Sequence, residues 1–342
     1  MSKKVYIQNI KTNVEINDVF LIANSSKHIS QKGDPFWNIE LCDNSGQIQA
    51  KIWSPLAQKF QEFSTGSLAM ITGQSAEFNK KTQITIKDIN ILNDDDVKKY
   101  NMADFIISSP YNIEDMWQEL MHLCKHELSY QPWRNFVNAV FKSEEIINAW
   151  KESPAAKSIH HAYRGGLLEH SLGVTKLSLS MVKHYPNLDK EVLLVGAMFH
   201  DIGKIWEFKQ GIVSEYADQG LLIGHMQLGL EKLEPFLVKS KLEPELITHF
   251  KHLILSHHGS YEFGSPRLPQ TPEAILLHYA DNIDAKMAQC RSLFANWDAE
   301  VIGWSDYQRS LERSIYNPMR TPQNTKQKVT EDHNMAIQTS LL

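Results

Sequence analysis

The sequence predicts two domains, a small all-β barrel followed by an all-α helical bundle. Three observations predict this. Apolar and polar residues alternate with period two from residue 5 to about 92, a charge run then intervenes at Asn93-Asp94-Asp95-Asp96-Val97-Lys98-Lys99, and apolar residues recur three and four apart from Asn112 to about Tyr316.

The first strand is expected in the stretch beginning at Val14 and running to Ile22, and the second at Phe36 to Leu41 after the turn Lys32-Gly33-Asp34-Pro35. Asp43-Asn44-Ser45-Gly46 reads as a hairpin turn into the third strand, Gln47 to Trp53. Leu68 to Gly73 and Thr82 to Lys87 supply the fourth and fifth, and Leu56, Phe60 and Phe63 read as a short helix between the third and fourth. Five strands with a helix at that place is the order of a Greek-key barrel of the OB type. Domain boundaries are expected at 1–95 for the barrel, 96–111 for a linker, 112–320 for the bundle and 321–342 for a polar, flexible tail. In the bundle, helices are expected over 114–128, 133–141, 167–185, 191–208, 222–239, 244–257 and 272–294, the last opening with proline at its first position behind Thr271.

Composition excludes several classes. Of 342 residues, 42% are hydrophobic, enough for a sizeable core, but no apolar run approaches a membrane span. The N-terminus has no apolar leader pattern, and Cys42, Cys124 and Cys290 are scattered singly, so a reduced, cytoplasmic protein without disulfides is expected. The formal charge of -5 is uneven: residues 1–92 carry ten lysines against eight carboxylates, which leaves the excess of acid in the remainder. A weakly basic barrel beside an acidic bundle suits a nucleic-acid-guiding module joined to a cation site.

Histidine is the unusual total, at 15, mostly after residue 120. His170 falls one turn into a predicted helix, His200-Asp201 follows the apolar run Val192 to Phe199, and His225 opens another helix. His257-His258 ends a helix at Gly259, and Asp281 lies within the last one. Imidazole and carboxylate without thiolate suit zinc, manganese, iron, cobalt or nickel. Burying such groups unpaired in apolar helices is costly, and a cation removes that cost. A single histidine on an apolar helix is more often an ordinary core residue; five separate elements each carrying a ligand-type residue is a different matter.

The order His170, His200-Asp201, His225, His257-His258, Asp281 resembles the HD-domain phosphohydrolases. The surrounding wording, His160-His161-Ala162-Tyr163-Arg164-Gly165-Gly166-Leu167-Leu168-Glu169-His170, then Phe199 to Lys204, then Ile254 to Gly259 and Leu277 to Met287, resembles the YhaM-type 3′→5′ exoribonucleases, which join an OB fold to an HD domain. The resemblance spans roughly residues 10 to 315. It implies that His170, His200, Asp201 and Asp281 hold a first divalent ion and that Asp201, His225 and His257 hold a second. Manganese is the first choice, with cobalt, iron, zinc, nickel or magnesium as alternatives. Asp201, Lys204 and His258 are the expected catalytic residues, Lys204 approaching the substrate phosphate and His258 acting as ligand, supporting donor or phosphate contact.

The expected reaction is hydrolysis of phosphodiester bonds in single-stranded nucleic acid, RNA before DNA, fed in by the barrel. Arg164 and His160 or His161 are candidates for the phosphate or sugar. On the barrel, Trp37, Trp53 and Phe78 are the candidate stacking platforms, with Lys32, Lys51, Lys80 and Lys81 as cations. Phe36 and Trp37 are strand neighbours, so only one of the two faces inward. The loop Gly259 to Thr271 lies between two ligands and is expected at the rim. A phosphatase or diesterase for a small nucleotide, a di-iron oxygenase, and a non-enzymatic, DNA-binding replication protein are the alternatives. No membrane partner is expected, and monomer and homo-oligomer both stay open.

Overall fold

The computed structural model describes residues 2–78, 81–156, 161–209, 215–295, 297 and 300–319; Lys80, His160 and the tail 321–342 lie outside them. Five strands, β1 (Glu15–Ile29), β2 (Pro35–Asp43), β3 (Gly46–Ile52), β4 (Leu68–Phe78) and β5 (Lys81–Ile91), close into a barrel in the order β1-β2-β3-β5-β4. All pairings are antiparallel except β3 with β5, which is parallel, and β1 closes the barrel against β4. This is the OB topology. Ile16, Phe20, Trp37, Ile39, Leu41, Ile52, Ile71 and Ile84 face the inside of the barrel. The β2–β3 turn is fixed by Asp43 Oδ1, which accepts from Ser45 N at 2.8 Å and from Ser45 Oγ at 2.5 Å. The helix expected after β3 is only a 3-10 turn, Leu56–Lys59. Its C-cap, Phe60, is already extended, and Phe63 is buried edge-on against Trp37 without a helical backbone.

From Asp94 onward the chain is helical: α1 (Asp94–Val97), α2 (Ile113–Glu127), α3 (Gln131–Val140), α4 (Glu144–Glu152), α5 (Gly166–Val182), α6 (Lys190–Phe199), α7 (Lys204–Glu207), α8 (Asp218–Ile223), α9 (His225–Lys239), α10 (Pro244–Ser256) and α11 (Pro272–Phe294). Asn112 caps α2 by accepting from Glu114 N and Asp115 N, and Asp189 caps α6 by accepting from Glu191 N and Val192 N. Every residue of α6 from Val192 to Phe199 is buried, with α5 and α10 packed against it. Two predicted helices are broken. The one expected over 191–208 stops at Phe199, where Ile202 N donates to Phe199 O and Lys204 N to Asp201 O, and restarts as α7. The one expected over 222–239 is divided at Gly224, whose φ of 80° and ψ of 158° suit glycine alone. Helix α4 was not among the expected elements, although Ile146, Ala149 and Trp150 bury one face of it.

The expected linker is packed. Phe105 is buried with Val19, Leu21, Cys42 and Leu68 of the barrel. A few residues on, Ser108 bridges Arg164 in parallel, Arg164 N donates to Ile107 O at 3.0 Å, and Ser109 N donates to Arg164 O at 2.9 Å. The chain divides into two compact units, Met1–Asn282 and a second beginning at Ile283. In the second, β6 (Gly303–Trp304) pairs antiparallel with β7 (Tyr316–Asn317). No helix among the described residues is long and apolar enough to cross a membrane.

Candidate metal centre

The break after α6 is what builds the site. His200 still has a helical backbone (φ -54°, ψ -37°) at the C-cap of α6, and Asp201 follows it in the turn. Asp201 stands at the middle with its two oxygens turned to different partners. Oδ2 lies 3.4 Å from His170 Nε2, 3.5 Å from His200 Nε2 and 2.6 Å from Lys204 Nζ. Oδ1 lies 3.3 Å from His225 Nε2 and 3.5 Å from His257 Nε2. Asp281 Oδ1 is 3.1 Å from His170 Nε2 and 3.8 Å from His200 Nε2. His258 joins Asp201, His225 and His257 in a group whose donor atoms all lie within 4.8 Å of one another. His170, His200 and Asp201 form a second such group, and His200, His257 and Asp281 a third.

The tautomers follow from the partners of each ring. His200 Nδ1 faces Ala197 O at 2.9 Å, His257 Nδ1 faces Ile254 O at 2.7 Å, and His258 Nδ1 faces Phe263 O at 2.8 Å. A carbonyl only accepts, so Nδ1 carries the proton and Nε2 the lone pair. His225 is held the same way by a carboxylate, Glu207 Oε1, at 3.0 Å from Nδ1. Four imidazoles therefore present lone pairs beside two carboxylates. His225 Nε2 and Asp201 Oδ1 are buried, lie 3.3 Å apart and make no hydrogen bond. An arrangement of acceptors pointing at acceptors fits a cation, and nitrogen and oxygen donors without sulfur fit a divalent first-row ion or magnesium.

Burial lowers the pKa of His200 and His257, keeping both neutral. Burial, helped by His257 and His225, pushes His258 down to about 3. Burial acts to raise the carboxyl of Asp201, but the Lys204 charge and the imidazoles of His200 and His257 outweigh it and hold Asp201 well below the usual carboxylate range. Burial acts against the charge of Lys204 too, and Asp201 more than restores it. Lys204 is thus an ammonium already paired with Asp201.

Other candidate residues are placed differently. Arg164 is committed to Glu152 through Nε and Nη2, at 2.5 and 2.6 Å, and lines a cavity of about 630 Å³ between the barrel and the helices. His161 is buried, with its ring 5.5 Å from that of His170. On the barrel, Trp37 is a correction. It is 5% exposed and donates from Nε1 to Ala57 O at 3.3 Å, so it is core, and its neighbour Phe36 faces out. Phe36 stacks between His28 and Trp53, with ring centroids 5.4 and 4.9 Å away. Lys51 Nζ lies 5.8, 5.4 and 5.1 Å from the rings of Phe36, Trp53 and Phe78. Trp53 and Phe78 are 43% and 53% exposed, and Lys32 and Lys81 are exposed as well.

The sequence reading missed the residues that hold the candidate ligands in place. Glu207 fixes His225, and its one signal was a carboxylate in the apolar run Ile205-Trp206-Glu207-Phe208. His278 Nδ1 lies 2.8 Å from His257 O and abuts Gly259, where a Cβ would lie 2.2 Å from the ring. Gly203 is needed because a Cβ there would lie 1.8 Å from His225 O.

Two family models match the chain. Residues 167–286 match the HD domain, and residues 21–92 match the OB-fold nucleic acid binding domain. Among solved structures, the chain is similar to the second OB-fold domain of replication protein A from Methanococcus maripaludis, at 20% identity over 27% of this chain and 96% of that one, with a TM-score of 0.23. It is also similar to the single-stranded DNA binding protein from Thermus aquaticus, at 13% identity over 24% of this chain and 40% of that one, with a TM-score of 0.22. The chain thus carries an OB-fold nucleic-acid-binding domain ahead of an HD domain, the metal-dependent phosphohydrolase type.

Proposed function

We propose that this protein is a metal-dependent 3′→5′ exonuclease that hydrolyses phosphodiester bonds of single-stranded RNA, with DNA as a second substrate. The observation that carries the reading is Asp201, one carboxylate with each oxygen turned to a different pair of imidazoles. In this reading His170, His200, Asp201 and Asp281 hold one divalent ion, and Asp201, His225 and His257 hold a second, with manganese the first choice. Bound there, such ions lower the pKa of water toward neutrality and offset charge on the phosphoryl oxygens.

The protein's own groups supply the rest. Lys204, an ammonium beside Asp201, adds positive charge where the phosphoryl group gains negative charge. His258, with its proton fixed on Nδ1, presents Nε2 as an acceptor beside His225 and His257. Glu207 keeps the His225 ring from rotating out of the set. Residues 1–95 guide the strand: Phe36, Trp53 and Phe78 offer ring faces that stack on any base, and Lys51 among them attracts the backbone. That platform favours a polymer over a mononucleotide. Direction and RNA preference rest on the resemblance to YhaM-type enzymes.

The deciding assay uses 5′-labelled single-stranded RNA with Mn²⁺, Co²⁺, Mg²⁺ or Fe²⁺, comparing wild type with Asp201→Asn. A ladder shortening from the 3′ end in wild type, and at least 100-fold less in the variant, is expected. A wild type inert with all four ions sinks the nuclease reading. Hydrolysis confined to small nucleotides transfers it to the phosphatase alternative.

A further inference from the structure

The cavity of about 630 Å³ between the barrel and the helices falls within the usual range of small-ligand sites, about 300–1,000 Å³. Its barrel wall is Leu21, Ala23, Cys42 and Gln47, and its far wall comes from α4, the loop ahead of α5, and α7.

Strand register ties that barrel wall to the aromatic platform. Side chains alternate across a strand, and Trp37, Ile39 and Leu41 point inward, so Phe36, Asn38, Glu40 and Cys42 share the outer face of β2. On β3, Ile48, Ala50 and Ile52 point inward, which leaves Gln47, Gln49 and Lys51 outward. The pairing sets Asn38 against Lys51, Glu40 against Gln49 and Cys42 against Gln47. One outer face therefore runs from Phe36 and Lys51 to Cys42 and Gln47, about 20 Å at a strand's rise per residue.

The lining decides what the cavity suits. Arg164 and Lys209 are balanced by Glu145 and Glu152, and both cations are already paired, with Glu152 and with Glu215. A phosphate gains little there. Ile107, Pro154 and Phe208 are apolar, while Gln47 and Asn148 bring exposed amides, each with donors and an acceptor. Apolar surface with amides beside it matches a nucleobase, which is flat, uncharged and carries donors and acceptors along its edges. Helix α7 turns Ile205 and Phe208 to the cavity, and its Lys204 and Glu207 meet Asp201 and His225. The cavity and the candidate metal centre thus share α7 as a wall.

We propose that this cavity is a base-binding site: a single strand leaving the platform follows the outer face of β2 and β3 and seats a base beside Gln47 and Asn148. The proposal rests on the strand-guiding role proposed for the barrel.

The test measures fluorescence anisotropy of the full-length protein, with EDTA present so that no strand is cut, on single-stranded RNA of about 4 to about 16 nucleotides, the range of OB-fold site sizes. Wild-type affinity is expected to rise with length. Asn148→Trp fills the cavity from an exposed position of α4 and is expected to remove that gain, weakening the longest strand about tenfold. Gln47→Ala/Asn148→Ala is expected to shrink the gain as well, and decides alone if Asn148→Trp does not fold. A 4-thiouridine moved along the strand locates the base: on irradiation it is expected to attach to peptides lining the cavity, from a different position than the one that attaches at Trp53. Cavity variants with wild-type affinity at every length, or adducts confined to the platform, overturn the base site and leave the platform standing. Strands that bind wild type and Trp53→Ala equally well overturn the guiding role of the barrel itself.

Discussion

Individual side chains behave according to what surrounds them, and the three cysteines show this most simply. Burial pushes the thiols of Cys42 and Cys124 up to about 12, whereas Cys290 is half-buried. At pH 8 a thiol reagent should therefore modify Cys290 rapidly and the other two only after denaturation; rapid labelling of all three in the native protein would contradict the packing. The raised values also set a pH dependence. An unfolded thiol titrates near about 8.5, so above that pH the native state binds more protons than the unfolded one. Stability is fully present below about 8.5 and falls as pH rises toward 12. Melting curves from pH 8 to 10.5 should show the decline, and Cys42→Ala/Cys124→Ala should flatten it. At the metal centre, the identities of the candidate donors were legible in the sequence because each is a polar residue inside an apolar pattern. Their tautomers were not, since these depend on carbonyls such as Ala197 O and Ile254 O and on Glu207, which no spacing rule brings to the rings.

Among the elements, periodicity located most helices and could not see where they break. The pattern runs on through His200 and Gly224, because the residues on either side stay apolar while the backbone turns. The break at 200–203 works only because Gly203 lets α9 approach: its missing Cβ leaves room for His225 O and for Gly229 N, which would lie 1.8 and 2.7 Å away. Gly203→Ala must push α9 outward and carry His225 with it. Overpacking of this kind costs about 1–3 kcal/mol, which is about 2–12 °C in Tm, and divalent-ion affinity should fall as well. Gly229→Ala faces its nearest neighbour at 3.2 Å and should be tolerated better. Equal loss in the two variants, measured by calorimetry and ion titration, would show that the approach at Gly203 is not what fixes His225. Helix α4 escaped the sequence reading for the opposite reason. It is nine residues long, too short for its apolar positions to stand out from a loop. On the barrel, the alternation correctly separated Phe36 from Trp37 and could not say which was inside. That is decided by Phe63 and Ala57, which close over Trp37.

At the scale of the whole molecule, the proposed function assigns binding and hydrolysis to different residues, so the two should be separable. Trp53→Ala removes one ring of the platform and should cost about 1–3 kcal/mol of affinity for single-stranded nucleic acid, roughly 5- to 150-fold in Kd. Affinity should also fall linearly with salt on a logarithmic scale. Asp201→Asn should leave that binding intact while abolishing cleavage, as fluorescence anisotropy on the same oligonucleotide would show; unchanged binding by Trp53→Ala would place the strand elsewhere. The packed linker gives this separation its kinetic meaning. Phe105 is fastened in the barrel and Ser109 on Arg164, and the four steps between them span at most about 14 Å. In the proposed function, a strand captured by the barrel would be offered to the metal pocket of the same molecule, at an effective concentration independent of the bulk solution. In that reading the second encounter is intramolecular, and a scarce substrate held weakly by the barrel would be met repeatedly by the pocket before it escapes.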